Sequence, residues 1–310
     1  MIHEYALDPD AISDWPSFRY FFDHFGVHTG RLISEFPGKW KRLVYQAVER
    51  GPATTIQRQS IVERLTTIDD KLFRQQRTYD GTVSWIKNAL TQQPLEPFRA
   101  IITNNYPAGS NNCLGADGVD STDPLWAVST QAVLEREPEI LAAAARTLLR
   151  HSAEVIFVDP HFKPGRRKWL RPLEEFIQNA IESGPSISRM EYHFKFDPAA
   201  SPPFDAAFIA ECQRRIAPVV PLGMTIKLIR WKKRPVGKSF HARLLLTNKG
   251  GIGFDYGLDE GDDRGDTTLV SILQPSTHKE LWNDFQKHQD MTMCTYEFDN
   301  ETVISGTKVV

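Results

Sequence analysis

The chain has 310 residues, 41% hydrophobic and 25% charged, a globular composition that excludes wholesale disorder. Its 37 basic and 39 acidic residues leave a net charge of −2, which excludes a globally basic nucleic-acid coat protein. No apolar run approaches the ~20 residues that cross a bilayer, so no membrane span is expected. The acidic start MIHEYALDPDAISDW lacks the basic and apolar blocks of a signal peptide. Cys113, Cys212 and Cys294 form neither a disulfide framework nor a CxxC pair. A cytoplasmic protein is expected.

Residues 1–135 read as a helix-rich region. Trp15 to Trp40 is dense in aromatics but broken by Gly26, Gly30, Pro37 and Gly38, which favours an irregular packed segment. Ile61, Leu65, Ile68 and Leu72 fall on one helical face, and Val83 to Leu90 forms a second, shorter amphipathic stretch. His24 and His28 stand four apart, but Gly26 between them argues for structure and against a metal site. Phe98 to Ile102 is strand-like, and Thr103 to Asp123, rich in Asn, Gly, Ser and Asp, is a long loop. The aromatic content makes the region a candidate for docking a protein partner.

From 136 to 310 the pattern changes to an alternation of strand and helix. Pro138 opens a helix whose apolar positions include Ile140, Leu141, Ala144, Leu148 and Leu149. Val155 to Val158 is a buried strand, Leu170 to Ile181 a helix, Met190 to Phe196 a strand, and Phe204 to Ile216 a helix. Thr225 to Trp231 is strand-like. Phe240 to Thr247 and Ile252 to Tyr256 form a hairpin about Asn248-Lys249-Gly250-Gly251. Thr268 to Leu273 is a strand and Lys279 to Lys287 a helix. The expectation is one mixed α/β sheet flanked by helices, with Phe240 to Thr247 central because Leu244-Leu245-Leu246 is apolar on both faces.

The chemistry concentrates around His241 and Arg243, whose alternation on a strand puts both side chains on one face. Arg230, Lys232, Lys233, Arg234 and Lys238 precede them, a cationic approach suited to a phosphate diester. An imidazole there can attack phosphorus or move a proton. No P-loop, GxSxG, HExxH or dinucleotide fingerprint is present, and no cofactor or metal is called for.

This segment resembles the phospholipase D-like superfamily, whose signature is His-x-Lys, four residues, Asp, then Gly-Ser-x-Asn. His241 falls on the histidine, Arg243 on the lysine and Asn248 on the aspartate, while Asp255, Tyr256 and Leu258 stand where Gly, Ser and Asn belong. Arginine keeps the charge with a different shape, and asparagine drops the carboxylate. Glu154-Val-Ile-Phe-Val-Asp-Pro-His-Phe looks like the opening strand of such a domain. The resemblance spans roughly residues 136–290. It implies an α/β sandwich, a phosphohistidine intermediate, and two His-x-Lys motifs per active site, drawn from two halves or two subunits. One motif per chain therefore implies a homodimer.

Asp159 and His161, at a strand's C-terminal end, are placed to line a cleft, with a turn-capping aspartate and a surface histidine as the alternative. Arg166 and Arg167, with Lys163, Lys168 and Arg171, are a second candidate phosphate patch or a solvated helix start. The cluster Asp255, Asp259, Glu260, Asp262, Asp263 and Asp266 matches no EF-hand and reads as a solvated acidic loop. Glu260 is alternatively the later carboxylate that many members of the superfamily carry.

The functional expectation is a metal-independent phosphodiesterase, a nuclease acting as a homodimer on nucleic acid. Bacterial defence nucleases that resemble the superfamily extend this by analogy to antiviral defence. The alternatives are a catalytically eroded module that binds phosphates of nucleic acid or lipid, and a scaffold subunit of a larger assembly.

Overall fold

The computed structural model describes residues 1–75, 77–182, 187–199, 201–234, 240–286 and 295–309. These fall into two compact units, Met1–Thr130 and Gln131–Val310. The boundary lies before residue 136 because β6 (Gln131–Glu135) pairs with the second unit's sheet.

The first unit carries α1 (Trp15–His24), α2 (Trp40–Arg50), α3 (Thr55–Thr66) and α4 (Trp85–Gln92); α3 and α4 fall on the two stretches read as amphipathic, whereas α1 forms inside the segment read as irregular. Asp14 caps α1 by accepting from the Ser17 amide, and Thr54 with Gln57 forms a capping box on α3. The region is nevertheless not merely helical. Its centre is a parallel sheet in the order β3-β2-β1-β4-β5, from β1 (His3–Leu7), β2 (Arg31–Ser34), β3 (Leu72–Phe73), β4 (Ile101–Ile102) and β5 (Cys113–Leu114). Ile68 and Leu72 are buried as expected, but in a 3-10 turn and in β3, past the end of α3 at Thr66. Tyr5, Phe21 and Phe25 pack edge-on against Trp126, and the Trp40 indole donates to the Leu7 carbonyl at 2.6 Å.

The second unit is a mixed sheet of eight strands among the described residues, in the order β13-β9-β8-β7-β10-β11-β12-β6. It is built from β6, α5 (Pro138–Arg150), β7 (Glu154–Val158), α6 (Arg167–Ile181), β8 (Arg189–Lys195), α7 (Ala206–Ile216), β9 (Thr225–Lys232), β10 (Leu244–Thr247), β11 (Gly250–Phe254), β12 (Thr267–Ile272), α8 (Pro275–Asp284) and β13 (Glu297–Ser305). β7, β8 and β9 run parallel because α6 and α7 carry the chain back between them. β10, β11 and β12 follow as antiparallel neighbours. The chain is thus α/β, and Leu244 to Thr247 is interior, with β7 on one side and β11 on the other. The strand begins at Leu244, so Phe240 to Arg243 is an irregular lead-in and not the strand expected from its pattern. No helix among the described residues is long and apolar enough to cross a membrane.

Candidate active site

The register of β10 decides where the lead-in goes. Leu244 pairs with Val158, antiparallel, so the residues before Leu244 and those after Val158 emerge at the same edge of the sheet. That edge is the C-terminal end of the parallel strands, where α/β sheets gather their ligands. His241, Arg243, Asp159, His161 and the turn leading to Arg166 therefore lie at one edge of the sheet, although about seventy-five positions or more separate the first two from the others in sequence.

Phe240 anchors the lead-in. It is buried, stacked on Tyr296 with centroids 4.9 Å apart, and tilted against Phe285 at 5.4 Å. Phe240, Ala242, Leu244 and Leu246 all belong to the core beneath α8, which leaves His241 and Arg243 outside it. The alternation that puts both on one side persists ahead of the ladder. His241 is exposed, and both side chains line an open hollow of about 300 Å³ with Asp255 and Ser271. Arg243 Nη1 donates to the Asp255 carbonyl at 3.2 Å, its own carbonyl accepts from the Phe254 amide at 2.9 Å, and its Nε is buried with no partner among the described residues. The guanidinium charge beside this open hollow suits an anionic oxygen.

Asp159 is not a substrate-facing acid. It is 1% exposed and accepts from the His161 amide at 2.8 Å and the Leu258 amide at 3.1 Å. Burial raises its pKa, those amides pull it back down, and the nearby Asp259 raises it again. Its work is to tie the turn after β7 to the loop after β11. Gly257, at φ +149°, completes the tie, because a Cβ there would meet Asp259 Oδ1 at 2.4 Å and Asp159 Oδ2 at 3.2 Å. His161 is exposed at the same edge.

Asn248 sits at the opposite edge. Its Oδ1 accepts from the Ala153 and Glu154 amides at 3.1 and 3.2 Å, closing the far end of the β7–β10 pair. The four residues of β10 separate it from Arg243, and it is a structural residue, not a catalytic one.

The cationic approach divides. Arg230 is 3% exposed, with Nε on Asp299 Oδ2 at 2.5 Å and Nη1 on the Pro202 carbonyl at 2.8 Å. Lys232 binds the other oxygen of Asp299 at 2.6 Å. Neither is an open phosphate ligand, because the Asp299 carboxylate on β13 already takes both charges. Lys233 is exposed and Arg234 half-buried; Lys238 lies outside the described residues. Arg166 and Arg167 are exposed at the start of α6. Lys168 and Arg171 are engaged, Lys168 with Asp259 and Asp262 at 3.0 and 3.1 Å, Arg171 with Glu260. With Arg136 on Asp259 at 2.6 Å, these ion pairs tie the middle of the acidic loop to α6 through Asp259 and Glu260, while Asp255, Asp262 and Asp263 are exposed, as expected of a solvated loop.

Sequence reasoning missed a polar chain that runs along β8 towards this edge. Arg189 binds Glu191 at 2.7 Å, Glu191 takes the His193 Nε2–H at 3.0 Å, and the Trp231 indole donates to His193 Nδ1 at 2.9 Å. The alternation Arg189, Glu191, His193 on β8 was the available signal.

No protein-family model matches the chain, and no curated protein does. Among solved structures, the archaeal chromatin protein TrmBL2, whose structure shows a novel mode of DNA binding, is matched at a TM-score of 0.26 and 11% identity, over 59% of this chain and 59% of that one. A likeness this slight carries no argument about fold or function.

Proposed function

We propose that the Gln131–Val310 unit is a phospholipase D-like phosphodiesterase that takes a nucleic-acid strand at this strand-end edge, as a homodimer. The observation that carries the reading is the shared hollow that His241 and Arg243 line. The imidazole lone pair attacks phosphorus and forms an N–P bond as the P–O bond to the leaving alcohol breaks. The leaving oxygen takes a proton from His241 of the partner subunit. That histidine then deprotonates a water, whose oxygen displaces the first imidazole and returns a phosphate monoester. Arg243 holds the non-bridging oxygens as charge accumulates on them.

Cleavage of a fluorescent oligonucleotide in EDTA tests this. The expected result is metal-independent cleavage that His241→Ala abolishes. Cleavage by the variant at the wild-type rate would overturn it.

A second reading is favoured by one observation: His241 is the only histidine lining the hollow among the described residues. Under it the unit binds phosphates without cleaving them, and wild-type protein would retain the oligonucleotide intact.

A further inference from the structure

We propose that a separate cavity at the ends of β7, β8 and β9 receives a base of the bound strand, which makes the substrate a single-stranded nucleic acid. This rests on the phosphodiester reading above. The cavity holds about 460 Å³, within the size range of small-molecule sites. Phe162, Phe194 and Phe208 supply an aromatic lining, the first two almost fully buried and the third half-exposed on α7. At its back is Arg230, fixed by Asp299 and the Pro202 carbonyl, with its guanidinium 4.8 Å from the Phe204 ring and 6.0 Å from the Phe208 ring.

The remaining charges suit a polyanion. Lys163, Arg166 and Lys195 line the cavity, and their side chains form no ion pair among the described residues. The two carboxylates present are otherwise engaged: Glu211 is held by Arg214 and Arg215, and Asp197 accepts from the Ala199 amide at 3.0 Å. Aromatic rings and a planar cation beneath a basic rim are what an unpaired base and its backbone need. A paired base would have its faces covered by its neighbours and could not enter.

The spacing fits one strand serving both places. The cavity centres on β8 and the His241 hollow on β10 and β11, two to three strands along the order β8-β7-β10-β11. At the usual interstrand distance that is about 10–14 Å. An extended single strand covers this within a few nucleotides.

The test is fluorescence anisotropy of the full chain with a labelled short oligothymidylate and with an abasic strand of equal length, which carries the same phosphates and no bases. Wild-type protein is expected to bind the oligothymidylate about tenfold more tightly than the abasic strand. Phe208→Ala should erase that difference by weakening only the base-bearing strand, and Phe208→Tyr should restore it. Phe208→Leu, which keeps bulk without a ring, guards against a loss that comes from misfolding, and should behave as Phe208→Ala does. Equal affinity of wild type for the two strands, or equal weakening of both by Phe208→Ala and Phe208→Leu, would overturn the base site while the phosphodiester reading stands. Binding of neither strand by wild type would overturn both.

Discussion

Leu244 stands opposite Val158, and that one pairing fixes which end of the sheet carries His241. Had β10 run parallel to β7, His241 would have emerged beside Glu154, at the edge where Asn248 now closes the pair. The homodimeric site proposed above uses two copies of His241. An equal mixture of His241→Ala and wild-type protein, under subunit exchange, should show about a quarter of the activity of the same total amount of wild type and not half, because each heterodimer lacks one histidine. Activity that tracks the wild-type fraction linearly would show that each subunit works alone.

Asn248 offers a control on the motif. Asn248→Ala leaves the Ala153 and Glu154 amides without their acceptor and should cost about 1–2 kcal/mol in urea unfolding. Activity per folded molecule should not change, since the residue lies at the far end of β10. A loss of turnover without loss of stability would return Asn248 to the active site.

Arg230 and Lys233 should respond differently to substitution, although they are three positions apart. Asp299→Asn removes the counter-charge of a buried pair whose side chains are 4% and 5% exposed, and should destabilise by about 3–5 kcal/mol. Lys233→Glu is at the surface and should leave the melting temperature in place. It should instead weaken oligonucleotide binding and lower the slope of log affinity against log salt by about one. Gel-shift titrations at two salt concentrations, beside thermal melts, separate the two effects.

The buried chain on β8 predicts an acid response in two stages. Burial lowers the pKa of His193, against the pull of Glu191, and the Trp231 N–H already occupies Nδ1, so the folded protein holds the ring neutral. The unfolded ring takes a proton near pH 6.5, so this contribution is complete above about pH 6.5 and is lost as the pH falls below it. Burial works to raise the Glu191 pKa, but hydrogen bonds from His193 and Arg189 overcome it and hold the carboxyl at about 2. Its contribution is complete above the unfolded value, about 4.3, and is lost as the pH falls towards 2. Urea midpoints from about pH 8 to pH 3 should show both declines. Trp231→Phe should lower stability at neutral pH by about 1–3 kcal/mol, and it frees Nδ1 to take a proton, so the first decline should flatten.

Much of the second unit was legible because its elements are long enough to show a period. Val155 to Val158, the helix opened by Pro138 and the Leu244-Leu245-Leu246 run each carry a pattern that packing only confirms. The first unit's sheet was not legible. β3, β4 and β5 are two residues each, below any period, and residues on both faces of β1 are buried, so it shows no alternation.

The sequence by itself determined the residue types at the edge, the pairing of His241 with Arg243, and an interior strand behind them. Charge counting could not tell which cations were open, because Arg230 and Lys232 are neutralised by Asp299, nearly seventy positions away on β13. Nor could it show that the middle of the acidic loop is tied down by Arg136, Lys168 and Arg171. Ion pairs of that range depend on which strands become neighbours, and strand order is a property of the folded sheet alone.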